Sequence, residues 1–214
     1  MLLEEQRRTV VETCLAMQKA GLVVGTAGNV SARDGDMVVI SPSAVPYEEM
    51  RPEDVCVIDM DGTIIEGEYK PSSEMPLHLS VYRSTDARGI THNHAPASTA
   101  MGLVVDTVPT SHYYSAMFGG PVRVAPYAPF GSLDLARNVT DALRDRHAAL
   151  MANHGAITTG ASLEAAASLL PYLEYICEIE LRAMSTRRQE KILSEDQIQA
   201  AVEAMTSYRK TPRA

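Results

Sequence analysis

The 214-residue chain is poor in several things, and each lack excludes a class of function. No apolar run approaches the roughly 20 residues that span a bilayer, so the sequence predicts no transmembrane helix. The opening "MLLEEQRRTV" mixes acids and bases and contains no apolar signal-peptide core, so a cytoplasmic protein is expected. There are only three cysteines, Cys14, Cys56 and Cys177, widely spaced and without a C-x-x-C pair. They read as buried thiols, not as a disulfide framework. The chain also lacks an excess of basic charge. Its formal net charge of −8 argues against nucleic-acid or anionic-membrane partners, which need a basic face. It leaves room for a small anion, because backbone amides or a metal can bind a phosphate locally. Internal repeats, low-complexity segments and clear linkers are absent too, so a single domain over 1–214 is expected.

Present instead is an alternation of strand-like and helical stretches. Residues 3–20 carry Val10, Cys14 and Met17 at helical spacing, with Gly21 as a stop. Asp34-Gly35 and Asp61-Gly62 each sit between strand-like runs and predict two hairpins. Ser72 or Ser73 is expected to cap a helix running to about Ser84, with Glu74 in its first turn. "RGITHNH" reads as a short strand, "APASTAMGL" as a helix, and "GGPVRVAPYAPFG" as a strand leading into a loop. "SLDLARNVTDALRDR" reads as a capped amphipathic helix, and "HAALMANHGAI" as a strand ending at His154-Gly155. Helices are expected over 162–185 and from 194 to about 206, followed by a frayed tail, 207–214. Hairpins mixed with strand–helix alternation predict one α/β domain whose mixed sheet is covered by helices.

Only six histidines are present, yet "THNHA" places His92 and His94 two residues apart. On a strand both point to the same face. That is half of a metal site, and a catalytic zinc takes three protein ligands while keeping a position open. His154, followed by Gly155, and Glu74, at a helix start, are the candidates to complete it. His78 and His147 read as helix-face or loop residues without a role. His112 reads as a local structural partner of the two tyrosines that follow it.

The motifs "GTAGNVS", "PSSE", "HNHA", "SHYY" and "NHG" lie in this order along the chain. As an ordered set they resemble the class II aldolase family that includes L-fuculose-1-phosphate aldolase, from the first helix to Tyr208. The resemblance implies a three-layer αβα domain with a mixed, largely antiparallel sheet. It also implies a homotetramer with active sites between subunits. It implies a metal-dependent lyase that reversibly cleaves a ketose 1-phosphate into dihydroxyacetone phosphate and an aldehyde. His92, His94 and His154 match the zinc ligands, although three histidines also suit Co²⁺ or Mn²⁺. Glu74 matches the general base and an additional metal ligand. Asn29, Ser43, Ser72 and Ser73 match phosphate-binding positions. Tyr113 matches a tyrosine supplied by a neighbouring subunit, Tyr208 a second one in the tail, and Phe130 an aromatic near the aldehyde end.

The sequence departs from the fuculose type at two places. Ala44 replaces a glycine whose amide donates to the phosphate, a change without consequence where the local φ is negative. Met75-Pro76 replaces Trp-Arg, and Pro76 suits a first helical turn. These changes leave 5-deoxypentulose phosphates and other ketose 1-phosphates open as substrates. L-ribulose-5-phosphate 4-epimerase is the nearest rival, but "PTSHYYSAMFGG" lacks the extra aspartate it needs, and its metal-end acid is usually aspartate. A methylthioribulose-1-phosphate dehydratase and a non-catalytic adducin-like domain are further alternatives.

Overall fold

The computed structural model describes residues 1–210, with side chains described through Ser207. The helices are α1 (Glu4–Lys19), α2 (Met75–Ser84), α3 (Pro96–Met101), α4 (Leu133–Ala142), α5 (Leu163–Ser185) and α6 (Glu195–Lys210). The strands are β1 (Asn29–Asp34), β2 (Met37–Ile40), β3 (Cys56–Asp59), β4 (Ile64–Glu66), β5 (Gly89–Asn93), β6 (Arg123–Ala125), β7 (Ala148–Met151) and β8 (Gly155–Gly160). They form one eight-stranded sheet in the order β4-β3-β2-β1-β5-β8-β7-β6. Only the β6–β7 pair is parallel.

Period-two alternation divides the sheet's side chains between two helix layers. Val38, Ile40, Ala149 and Met151 pack with Leu77, Val81, Leu135 and Val139 of α2 and α4. Their strand neighbours face the other way. Val39 packs with Val10 and Leu170 of α1 and α5, and Ala148 and Leu150 pack with Leu173 and Ala97 of α5 and α3. The expected αβα layering and largely antiparallel sheet are therefore present. All three cysteines are buried free thiols. Burial pushes the Cys14 thiol up to about 12 and that of Cys56 to about 11. Among the described residues no helix is long and apolar enough to cross a membrane.

Both expected hairpins form, β1–β2 and β3–β4. Two expectations need correction. His154 does not end a strand; it sits in the turn between β7 and β8, whose antiparallel pairing runs from Met151–Gly155 to Ala148–Thr158. The "NHG" turn thus separates two strands where one was expected. Neither serine caps α2. Glu74 is the N-cap residue, and the Ser72 hydroxyl instead accepts from the Glu74 amide at 3.2 Å, a turn one step upstream. Pro76 falls at the helix start, where its missing N–H costs nothing.

Candidate metal centre

The centre lies where the end of β5 meets the β7–β8 turn and the N-terminus of α2. His92 stands on β5, in register with Asn29 on β1 and Ile157 on β8. His94 follows the strand by one residue. Close chain approach needs glycine at two points. A side chain on Gly155 would meet the Asn93 carbonyl at 2.2 Å, so only glycine lets the His154 turn lie against β5. A side chain on Gly28 (φ +126°) would meet the His92 carbonyl at 2.8 Å.

Three imidazoles converge. The His92 and His94 Nε2 atoms are 2.9 Å apart, and the three rings pack edge to face with centroids 4.8–4.9 Å apart. One ligand atom from each of His92, His94 and His154 lies within 4.8 Å of the others. His92 Nδ1 is 2.9 Å from the Ala156 carbonyl, which fixes its proton there and turns the Nε2 lone pair inward. Glu74, buried at 5% exposure, brings Oε2 to 3.0 Å from His92 Nε2 and Oε1 to 3.5 Å from His154 Nε2. Oε1 is fully buried and has no hydrogen-bond partner. Lone pairs and a carboxylate facing one another with an orphaned oxygen are a donor set that fits a divalent cation.

Without an ion, Glu74 and His92 favour each other's charged forms, while His94 and His154 are pushed toward the neutral form. Burial would raise the Glu74 pKa, but the charge and hydrogen bond of His92, with Asn29 and His154, outweigh it and hold the carboxyl well below the usual range. Burial would lower the His92 pKa, but Glu74 outweighs it and the net displacement is upward. Burial, then repulsion from His92 and His154, pushes His94 down to about 4, and burial also lowers His154. His94 and His154 are thus neutral near pH 7, the form that binds metal.

Beside this cluster opens a cavity of about 390 Å³, lined by Gly28, Asn29, Ser43, Ser72, Ser73, Glu74, His94, Phe130 and His154. Ser43 and Ser73 are exposed to it, and Phe130, 72% exposed, stands at its mouth. Ala44 also lines it, with φ +59°. The negative φ under which alanine would be without consequence is not the one found. The loop keeps the left-handed shape that favours glycine, at a strain of about 1 kcal/mol. A larger groove of about 680 Å³ lies under α6 and contains none of the candidate residues whose side chains are described.

Tyr113 is not brought to the cavity by its own chain. It lies half-exposed on the Tyr113–Phe118 3-10 turn, stacked on His112 at 4.6 Å. His112 has the expected structural part, accepting from the Tyr114 amide at 3.2 Å and packing on Tyr175. The Tyr208 side chain lies outside the described residues.

The residue that sequence reading missed is His78. It is completely buried on α2, with Nε2 2.5 Å from Asn29 Oδ1 and Nδ1 2.6 Å from Ser31 Oγ. Asn29 Nδ2 in turn donates to Glu74 Oε2 at 2.9 Å. The available signal was spacing: His78 is four residues after Glu74, hence on the same face of α2.

Residues 8–181 match the family described as Class II Aldolase and Adducin N-terminal domain. The chain belongs to this family. It is 37% identical to an L-fuculose phosphate aldolase of Escherichia coli, over 94% of each chain. It is 36% identical to a 5-deoxy-D-ribulose 1-phosphate aldolase of Bacillus thuringiensis serovar kurstaki, over 97% of this chain and 99% of that one. A solved structure of an L-fuculose 1-phosphate aldolase superposes with a TM-score of 0.92 at 30% identity, covering 96% and 98% of the two chains. The protein is a class II aldolase, a lyase, and its triad suits the metal dependence of that class.

Proposed function

We propose that the chain is one catalytic domain over 1–214, a zinc-dependent, cytoplasmic aldolase that reversibly cleaves a ketose 1-phosphate into dihydroxyacetone phosphate and an aldehyde. The observation that carries this is the inward-facing histidine triad with the orphaned Glu74 oxygen beside it. His92, His94 and His154 would hold the ion, with Glu74 as a further ligand when substrate is absent. When bound, the metal supplies Lewis-acid stabilisation of the negative charge that develops as a carbon–carbon bond beside a carbonyl breaks.

The chain's own groups do the rest. Glu74, ionised and buried, takes and returns the proton on the carbon next to the carbonyl. The carboxylate is held on one side by Asn29 Nδ2, so Oε1 is the oxygen free to accept that proton. The substrate phosphate enters a cavity in which no described lining residue is a lysine or arginine. Neutral donors take it: the Ser43 and Ser73 hydroxyls, the Ser72 O–H that remains free to donate, and the Asn29 region of the Gly28 turn. Phe130 packs against the aldehyde end. Tyr113 of a neighbouring copy and Tyr208 of the tail stand at the aldehyde oxygen in a homotetramer, where its hydroxyl proton is taken up as the aldehyde forms in cleavage and returned to the alkoxide in the reverse addition. The exposed stacking of Tyr113, away from its own cavity, supports a part played across a subunit boundary.

Relatives named for fuculose phosphate and for 5-deoxyribulose 1-phosphate are nearly equally similar, so both sugars are the first substrates to try. The test is dihydroxyacetone phosphate release from each, with and without chelator, alongside bound-metal analysis. Chelator-sensitive release from either is expected. No release from a zinc-loaded protein would overturn the aldol reading for these sugars.

A further inference from the structure

Behind Glu74 runs a chain of buried polar groups, of which the cavity touches only Glu74 and Asn29. It passes from Glu74 through Asn29, His78 and Ser31 to Tyr82, whose hydroxyl is 2.8 Å from Ser31 Oγ. Asn29, Ser31, His78 and Tyr82 are at most 5% exposed. The direction of each bond follows from its neighbour. The Glu74 carboxylate is ionised and only accepts, so Asn29 must present its NH₂ group to it. Asn29 Oδ1 then faces His78 and accepts, so His78 Nε2 carries a proton. Burial pushes the His78 pKa down to about 3, so the ring is neutral and Nδ1 is an acceptor. Ser31 therefore donates to Nδ1, and Tyr82 donates to Ser31. No water or second metal is needed to satisfy the chain.

We propose that His78 is a positioning residue of the reaction. It locks the Asn29 amide with its donor toward Glu74, pinning Oε2 and leaving Oε1 as the free oxygen. The inference rests on Glu74 being the base. An amide turned the other way would set its carbonyl oxygen against a buried carboxylate and drive Glu74 out of line. Displacement on the order of 1 Å costs catalysis about 100-fold. Loss of an outer-shell partner of a metal site costs about 10- to 100-fold.

The first test uses the unmutated, zinc-loaded protein. The ¹⁵N shifts of His78 near neutral pH should report the Nε2–H tautomer, and an Nδ1–H tautomer would overturn the proposal. Because it needs no variant, this measurement decides the point even where a mutant fails to fold. The second test compares His78→Phe, which lacks the donor, with His78→Gln, whose amide nitrogen can reach Asn29. Proton exchange on dihydroxyacetone phosphate in deuterated water should slow about 10- to 100-fold in His78→Phe. The KM should stay near the parent's, and His78→Gln should recover most of the rate. A merely structural His78 would lower the folded fraction and leave exchange per folded molecule unchanged. That result, with exchange lost in Glu74→Gln, would overturn the inference and leave the base assignment standing. Unchanged exchange in Glu74→Gln would remove Glu74 as base and the catalytic part of the inference with it.

Discussion

The back of the cavity and its mouth are built on opposite terms. At the back, Glu74, Asn29, His78 and His92 are all at most 5% exposed, and apart from Glu74 Oε1 each polar atom there has a named partner. At the mouth, Ser43, Ser73, Ala44 and Phe130 are exposed, and Ala44 sits in a strained conformation. Burial makes the rear geometry rigid, because each misplaced group there would leave a partner unsatisfied. The mouth has no such constraint and is free to vary with the substrate. The function proposed above accordingly puts proton transfer at the back and substrate choice at the mouth.

The largest effect should come from breaking the back. His92→Ala should lose roughly 100-fold or more in metal affinity, with activity falling in parallel. Full zinc stoichiometry in the folded variant would sink the ligand assignment. Glu74→Gln should keep its metal, since three histidines remain, but slow proton exchange by about 10² to 10⁴. Exchange in deuterated water checks this directly.

The pH dependence of the metal-free protein sharpens the comparison. His78 takes up its proton in the unfolded chain near 6.5 but only near 3 when folded. The unfolded state therefore binds more protons between these values. Stability is fully present above about 6.5 and is lost as pH falls toward 3. Glu74, whose pKa is lowered from 4.5, acts in the same direction below that value, and His92, whose pKa is raised from 6.5, acts oppositely above it, so the useful quantity is a difference. The urea-unfolding free energy of His78→Phe should change with pH less steeply than the parent's, by about 1.4 kcal/mol per pH unit in this window. Identical slopes would show that His78 titrates normally.

At the mouth the effects should be small. Ala44→Gly should relieve the left-handed strain and raise stability by about 1 kcal/mol, read as a higher thermal midpoint. A lower midpoint would mean that the Ala44 conformation is unstrained. Phe130→Ala should alter stability by no more than about 0.5 kcal/mol while shifting the preference between aldehydes of different length. An unchanged preference would remove Phe130 from the aldehyde pocket.

Much of this was legible along the chain. The H-x-H spacing placed His92 and His94 together because strand periodicity is local. The Asp-Gly hairpins and a mixed sheet covered by helices followed from turn chemistry and patterning, and the three-layer αβα form from the family resemblance. The β8 strand was not separated from β7, because an apolar run through "MANHGAI" gives no period that marks a three-residue turn. The serine caps failed because Ser72 hydrogen-bonds locally to Glu74 before the helix begins.

The sequence by itself determined which residue types could bind a metal, carry a proton and take a phosphate, and the family that orders them. The tertiary structure alone decided that His154 and Glu74, far apart in the chain, meet the H-x-H pair. It also decided that His78 is buried and not on a solvated helix face. The reason is physical. Periodicity is a property of neighbours in sequence, whereas burial and hydrogen-bond partnership depend on which strands and helices close over a residue. Only that closure fixes where each proton of the hydrogen-bond chain behind Glu74 must lie.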